Sequence, residues 1–168
     1  MTTSELLLQD FDAEMAKTRR TLERIPEDKP DFKPHDKSMA CGRLAMHVAT
    51  LPALGKAILT TPGMDVAKAT FPDTTFHTRD TTLATFDSLA KETREALASA
   101  SDADLAALWK FTFGENLISN QPRSATYRLI FFNHLIHHRA QLGVYLRLND
   151  VPVPGMYGPS ADEAFAPK

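Results

Sequence analysis

The chain has 168 residues and a mass of 18.6 kDa; 43% of its residues are hydrophobic and 24% are charged, which excludes a disordered chain and predicts one globular domain over residues 1–168. Its net charge of −2 opposes binding to polyanions, so nucleic acid is not an expected partner. The single cysteine, Cys41, excludes an intrachain disulfide framework and any metal cage built from several cysteines.

The first third of the chain is predicted to form two helices joined by a loop. Apolar residues recur with helical spacing over residues 4–25, and Ser4 is the expected N-cap of this first helix. Three prolines within residues 26–36 predict a loop, because proline removes a backbone donor and restricts the residue before it. A second helix should begin after Ser38, bury an apolar stripe and bend at Pro52.

A third helix and a small β-hairpin should follow. Asp80 or Thr81 is the expected N-cap of the third helix, whose spaced apolar residues should face a core. Aromatic residues then alternate with polar residues from Trp109 to Phe113. This period of two, followed by Gly114, predicts a hairpin that lies on a helix.

The last long helix is predicted over residues 125–148, with Ser124 as its N-cap. It is apolar on most sides, so neighbouring helices or a second subunit should bury it. Residues 149–168 contain four prolines and two glycines and should form a coil. Together these elements indicate an all-α four-helix bundle with a small hairpin before the last helix, and the long connections around residues 59–80 and 100–123 favour a crossover topology.

The location is predicted from the absence of targeting signals. Residues 1–5 lack the basic region of a secretory signal, and no run of about 18 apolar residues occurs. We therefore expect a cytoplasmic protein without a membrane partner.

The histidines of the last helix form the most informative cluster. His134 and His138 lie on one face of a helix, with Cβ atoms roughly 5–6 Å apart, within reach of one metal ion. His137 is about 100° around the helix from His138, so His134 with His137 is the alternative pair. His47 interrupts the apolar stripe of the second helix, where a buried imidazole needs a partner, and is the candidate for the third nitrogen.

Three neutral imidazoles predict a site for one divalent transition-metal ion, which could be zinc, nickel or iron. Such a site leaves coordination positions open for water or substrate, as catalytic sites do. The absence of Glu-x-x-His excludes the usual carboxylate-bridged di-metal site, and His134-Leu135 replaces the His-Glu pair of zinc proteases. The chain also lacks a Gly-rich phosphate loop and a Gly-x-Ser-x-Gly motif, which excludes the common nucleotide-binding and serine-hydrolase classes.

These features resemble the DinB superfamily, which is distinct from the translesion polymerase of the same name. The resemblance spans nearly the whole chain, and it rests on His47, on the run His-x-x-x-His-Arg-Ala-Gln-Leu at residues 134–142, on Val-Tyr-Leu-Arg-Leu at 144–148, and on the Pro- and Gly-rich segment at 151–163. It implies a four-helix bundle, commonly a homodimer, with His47, His134 and His138 as metal ligands. His137 is then a neighbour of the site, and the family name implies a bacterial stress-related role.

The resemblance implies a metal site more directly than a reaction, since related bundles include thiol-dependent S-transferases, a thiol-dependent maleylpyruvate isomerase and proteins described as metal-dependent hydrolases. Thiol-dependent S-transferase chemistry on a small molecule is the leading hypothesis: a low-molecular-weight thiol would bind the metal as a thiolate nucleophile. Cys41 is not expected to be that nucleophile. A metal-dependent hydrolase and a non-catalytic metal-binding dimeric bundle are the alternatives, and no catalytic residue is assigned.

Four other side chains are assigned structural roles. Trp109, Tyr145 and Tyr157 are expected to pack, although each could shape a pocket. Arg139 is expected at the surface in contact with solvent, with Asp162 or Glu163 as an alternative partner.

Overall fold

The computed structural model describes residues 2–164, which are mostly helical and include a small three-stranded sheet. The helices are α1 (Thr3–Leu22), α2 (Cys41–Thr50), α3 (Pro52–Thr60), α4 (Arg79–Ser99), α5 (Asp102–Ala106), α6 (Arg123–Thr126) and α7 (Asn133–Leu148). A π-helical turn, Tyr127–Phe132, joins α6 to α7, and the strands are β1 (Gly63–Asp65), β2 (Leu108–Phe113) and β3 (Asn116–Pro122). Residues 165–168 of the predicted coil lie outside the described residues.

Capping boxes begin α1 and α4, and both lie ahead of the predicted caps. The Thr2 hydroxyl accepts from the Glu5 N–H at 3.1 Å, and the Glu5 carboxylate accepts from the Thr2 N–H at 2.7 Å. Thr78 makes the same exchange with Thr81, at 3.1 Å in each direction. The predicted caps are wrong because they already lie within the first helical turn: Ser4, Asp80 and Thr81.

Ser38 does not cap α2, because the preceding loop supplies the acceptors instead. The helix begins at Cys41 without a side-chain cap. The N–H groups of Cys41 and Gly42 donate to the carbonyls of Phe32 and Pro30, at 2.9 and 2.8 Å. The loop carbonyls therefore accept the hydrogen bonds that the side chain of a serine N-cap would otherwise accept from the first N–H groups of the helix.

The second predicted helix is interrupted at Pro52, as expected. Helix α2 ends at Thr50 and α3 starts at Pro52, since proline has no N–H for the helical ladder. The Thr93 hydroxyl of α4 donates to the Pro52 carbonyl at 2.7 Å. This contact holds the break against α4.

The last helical segment starts earlier than predicted and contains a π-helical turn. Ser124 lies inside α6, which begins at Arg123, and the Arg123 N–H donates to the carbonyl of Ala107 at 2.9 Å. The turn Tyr127–Phe132 follows before α7 begins. A π turn is one residue wider than an α turn, and nothing in the spacing of apolar residues predicted it.

The sheet contains the predicted hairpin and one strand that was not predicted. Strands β2 and β3 are antiparallel, and Gly114 turns between them with φ of +57°. Strand β1 pairs with β2 in parallel, and Gly63 lies so close to β2 that an added Cβ would be 2.4 Å from the Lys110 carbonyl oxygen. On β2, Trp109 is fully buried and donates to the Thr61 hydroxyl at 3.3 Å.

The core is built where α1, α2, α3, α4 and the segment from α6 to α7 meet. The Phe11 ring of α1 lies 6.3 Å from that of Phe131 and 6.4 Å from that of Phe132, between ring centroids. Three apolar residues of the last segment nevertheless stay exposed: Leu129, Val144 and Leu148.

No helix among residues 2–164 is long and apolar enough to cross a membrane.

The C-terminal coil is held against α1 and α7 by two carboxylates. Glu163 accepts from the Gly155 N–H at 2.8 Å and is paired with Arg20 and Arg24. Asp162 is paired with Arg147. The predicted pairing of Asp162 or Glu163 with Arg139 is therefore wrong.

Arg139 is buried rather than solvated, with 3% of its surface exposed. Its guanidinium is 2.6 Å from the Glu14 carboxylate and also donates to the Glu14 carbonyl and to the Thr18 hydroxyl. The Tyr157 hydroxyl of the coil accepts from Arg139 at 2.6 Å and donates to Glu14 at 2.8 Å. The pKa of Glu14 is lowered. Burial is the largest single influence and acts to raise this pKa, but the hydrogen bonds from Lys17, Tyr157 and Arg139 together outweigh it.

We expect Arg139→Met to destabilise the fold by about 3 kcal/mol, because it removes the buried guanidinium from the Glu14 carboxylate and leaves the more exposed Lys17 as the cation paired with it. Urea denaturation checks this value. Arg147→Met is the matched control, since it breaks an exposed pair and should change stability by less than about 1 kcal/mol. Equal losses in the two variants would contradict a buried pair at Arg139.

Glu163 should make the stability of the protein depend on pH. The Gly155 N–H, Arg24 and Arg20 lower its pKa from 4.5 to about 2. The stabilisation is therefore complete above pH 4.5, where the unfolded chain is also ionised, and is lost as the pH falls toward 2.

We expect Glu163→Gln to have a lower melting temperature than the wild-type protein above pH 4.5. This difference in melting temperature should shrink as the pH falls toward 2. Thermal denaturation at several pH values measures it. Glu95→Gln, at an exposed site of α4, is the control. A gap that stays constant with pH would show that the Glu163 charge does not contribute.

Candidate metal centre

Helices α2 and α7 bring three histidines together: His47, His134 and His138. Each offers one ring nitrogen, and these nitrogens all lie within 4.8 Å of one another. The ring centroids are 5.2 Å apart for His47 and His134, 4.5 Å for His47 and His138, and 4.7 Å for His134 and His138. These are the three residues that the resemblance to the DinB superfamily implied as metal ligands.

Helix geometry accounts for the placement of each ring. His134 and His138 are one turn apart on α7, so their side chains project from the same face. His47 lies on α2, whose flanking residues Met46 and Val48 are buried, and α2 packs directly against α7. The three rings are half-buried between the two helices.

The spacing of the nitrogens fits a divalent transition-metal ion. The Nε2 atoms of His47 and His134 are 3.3 Å apart. Two nitrogens at about 2.0–2.1 Å from a tetrahedral ion are roughly 3.3 Å from each other. The donor set of imidazole nitrogens is also one that zinc, nickel and iron accept.

A glutamine orients the third ring. The Nδ1–H of His138 donates to the Gln141 side-chain carbonyl at 2.8 Å. This bond places the proton on Nδ1 and leaves Nε2 with a free lone pair, which is the usual arrangement around a ligating histidine. Sequence reasoning did not assign Gln141 a role, although its i,i+3 spacing from His138 was available as a signal.

Burial and mutual proximity keep the three imidazoles neutral. Desolvation, followed by the charges of His138, His134 and Arg43, lowers the pKa of His47 to about 4. Desolvation also lowers the pKa of His134, with the charges of His138 and His137 adding to the effect. The pKa of His138 is lowered by desolvation as well. A neutral imidazole has the lone pair that metal binding requires.

His137 lies beside the cluster rather than in it. Its ring centroid is 4.8 Å from that of His138, but its side chain is exposed, and it is not among the residues whose ring nitrogens converge. The structure therefore favours His138 over His137 as the partner of His134.

The other side chains considered from the sequence lie elsewhere. Trp109 is in the sheet, and the Tyr145 hydroxyl donates to the Met39 carbonyl at 3.0 Å. Tyr157 lines a cavity of about 490 Å³ between α7 and the C-terminal coil, and none of the three clustered histidines lines it. Cys41 is buried, which raises the pKa of its thiol to about 11 and makes it a poor nucleophile.

Comparisons with known proteins agree with these features. The family model described as the DinB family matches residues 1–167. A DinB-like protein from Bacillus cereus ATCC 10987 is 23% identical, with a TM-score of 0.65 over 89% of this chain and 95% of that one. A DinB-like protein from Bacillus subtilis is 18% identical, with a TM-score of 0.67 over 90% and 99% of the two chains. No curated protein matches the sequence, and the two solved structures establish a shared fold.

Proposed function

Because this chain belongs to the DinB family, we propose that His47, His134 and His138 bind one divalent transition-metal ion and that the protein is a metal-dependent enzyme acting on a small molecule. The observation that carries the proposal is the convergence of three ring nitrogens within 4.8 Å. Three protein ligands leave coordination positions for a further group, which is typical of catalytic sites.

The leading reaction class is thiol-dependent S-transfer. A bound divalent ion would lower the pKa of a coordinating low-molecular-weight thiol, so that the thiolate predominates at neutral pH. The thiolate sulfur would then bond to an electrophilic carbon of the substrate. The leaving group departs with its electron pair, and the thiol proton passes to solvent.

The chain contributes position and proton control to this chemistry. Imidazoles from α2 and α7 bring one ring nitrogen each to within 4.8 Å of the others, and Gln141 fixes the tautomer of His138. Half-burial of the rings limits the water that competes for the open positions.

The absence of a bonded carboxylate favours thiol transfer over hydrolysis. The hydrogen bonds and ion pairs of residues 2–164 bring no Asp or Glu side chain to His47, His134 or His138. A hydrolase benefits from a general base that takes the proton of the attacking water, whereas an ionised thiol is already the nucleophile.

The same proposal includes the wider architecture. We take the packing of α1, α2–α3, α4 and α6–α7 around a common core as a DinB-type four-helix bundle with crossover connections, in one domain over residues 1–168. A cytoplasmic homodimer remains the prediction from the sequence.

Metal content tests the site directly. We expect about one transition-metal ion per wild-type chain after purification without chelators, and loss of that ion in His138→Ala, because two imidazoles bind far more weakly than three. Mass spectrometry of the intact protein measures the stoichiometry. His137→Ala is the matched control and should keep its metal. Full metal content in His138→Ala would contradict the ligand assignment.

Thiol binding tests the reaction class. We expect 2-mercaptoethanol to produce a sulfur-to-metal charge-transfer band in the cobalt-substituted wild-type protein, because its thiolate can occupy an open coordination position. Absorption spectroscopy measures the band, and His138→Ala with equal added cobalt is the control. Bound cobalt without a thiol band would contradict S-transferase chemistry and leave the two alternatives, a metal-dependent hydrolase and a non-catalytic metal site.

A further inference from the structure

Arg43 lies one helical turn before His47 on α2. Side chains four residues apart on a helix share a face, with Cβ atoms about 5–6 Å apart, so Arg43 flanks the histidine cluster. Its side chain is exposed.

Arg43 is the one arginine among residues 2–164 without a hydrogen bond or an ion pair. Seven other arginines pair with carboxylates on the surface, Arg139 pairs with buried Glu14, and Arg123 donates to backbone carbonyls. The surface pairs involve Arg19, Arg20, Arg24, Arg79, Arg94, Arg128 and Arg147. The guanidinium beside the cluster is therefore free to bind a group from solution.

The charge balance of the cluster favours an anion once a divalent ion is bound. Three neutral imidazoles add no negative charge, and no carboxylate of residues 2–164 is bonded to them. The ion and Arg43 would together place three positive charges at a partly desolvated site. Such a concentration of charge attracts anionic ligands and disfavours cationic ones.

Gln141 adds a second donor on the α7 side. Its carbonyl oxygen is taken by His138, whereas its amide nitrogen has no hydrogen-bond partner among the described residues. The amide of Gln141 and the guanidinium of Arg43 thus flank the histidines from the two opposing helices. Guanidinium and amide N–H groups are both donors that the oxygens of a carboxylate accept.

We propose that Arg43 is a specificity-determining residue that binds a carboxylate group of the small molecule held at the metal centre, so that the substrate or co-substrate of this protein is anionic. This inference rests on the proposed function, because it requires a ligand at the histidine cluster. Arg43 contacts only the bound small molecule, because it does not coordinate the metal ion.

Binding to the cobalt-substituted protein tests the proposal with three probes: 3-mercaptopropionate, 2-mercaptoethanol and succinate. Titration by absorption spectroscopy gives a dissociation constant for each thiol, and calorimetry gives one for succinate. We expect 3-mercaptopropionate to bind about tenfold more tightly than 2-mercaptoethanol, since a charge-assisted hydrogen bond contributes this much. Arg43→Gln should remove that preference, and Arg43→Lys should keep part of it.

Two controls separate this proposal from the metal site itself. Arg43→Gln should bind cobalt as the wild-type protein does, because Arg43 is not a ligand. Lys91→Gln removes an exposed cation on α4 and should leave the preference for 3-mercaptopropionate unchanged.

The outcomes distinguish the two proposals. If both thiols bind with equal affinity, or if Arg43→Gln keeps the tenfold preference, the role of Arg43 is overturned while thiol binding stands. If neither thiol binds, S-transferase chemistry is contradicted, and succinate decides the role of Arg43. Weaker succinate binding in Arg43→Gln would then support the anion site, and equal binding would overturn it.

Discussion

The packing of α2 against α7 is the constraint on which the candidate site depends. His47 and the pair His134 and His138 are far apart in the sequence, and only this contact between helices brings their nitrogens within 4.8 Å. The same contact partly shields the rings from water, and this desolvation lowers their pKa values and favours the neutral form. Close packing of the helices thus produces both the geometry and the protonation state that a metal ion needs.

Helix α7 combines three roles because its faces meet different surroundings. One face carries His134 and His138 toward α2, and Gln141 lies next along that face. A second face buries Arg139 against Glu14 of α1. Arg139 also borders the cavity under the C-terminal coil, together with its helical neighbours Ile136 and Gly143.

The local details of the fold show where sequence patterns stop being sufficient. The long helices, the break at Pro52 and the hairpin around Gly114 follow from periodicity and from the backbone limits of proline and glycine. The helix starts differ because competing acceptors, such as the Phe32 carbonyl at the start of α2, lie in other segments. Strand β1 consists of three residues, too few for any alternation to be recognised, and it forms only because β2 lies beside it.

The sequence alone determined the helical class, because helical periodicity is a local property of the chain. Spacing within the last helix left His134 with His138 or with His137 as the candidate pair, and the resemblance to the DinB family, carried by local motifs, implied the set His47, His134 and His138. The tertiary structure decided which residues those histidines meet. It placed Arg139 in a buried pair with Glu14 rather than at the surface, and it left Arg43 without a partner beside His47. Burial and ion pairing depend on segments distant in sequence, and no pattern within one segment encodes them.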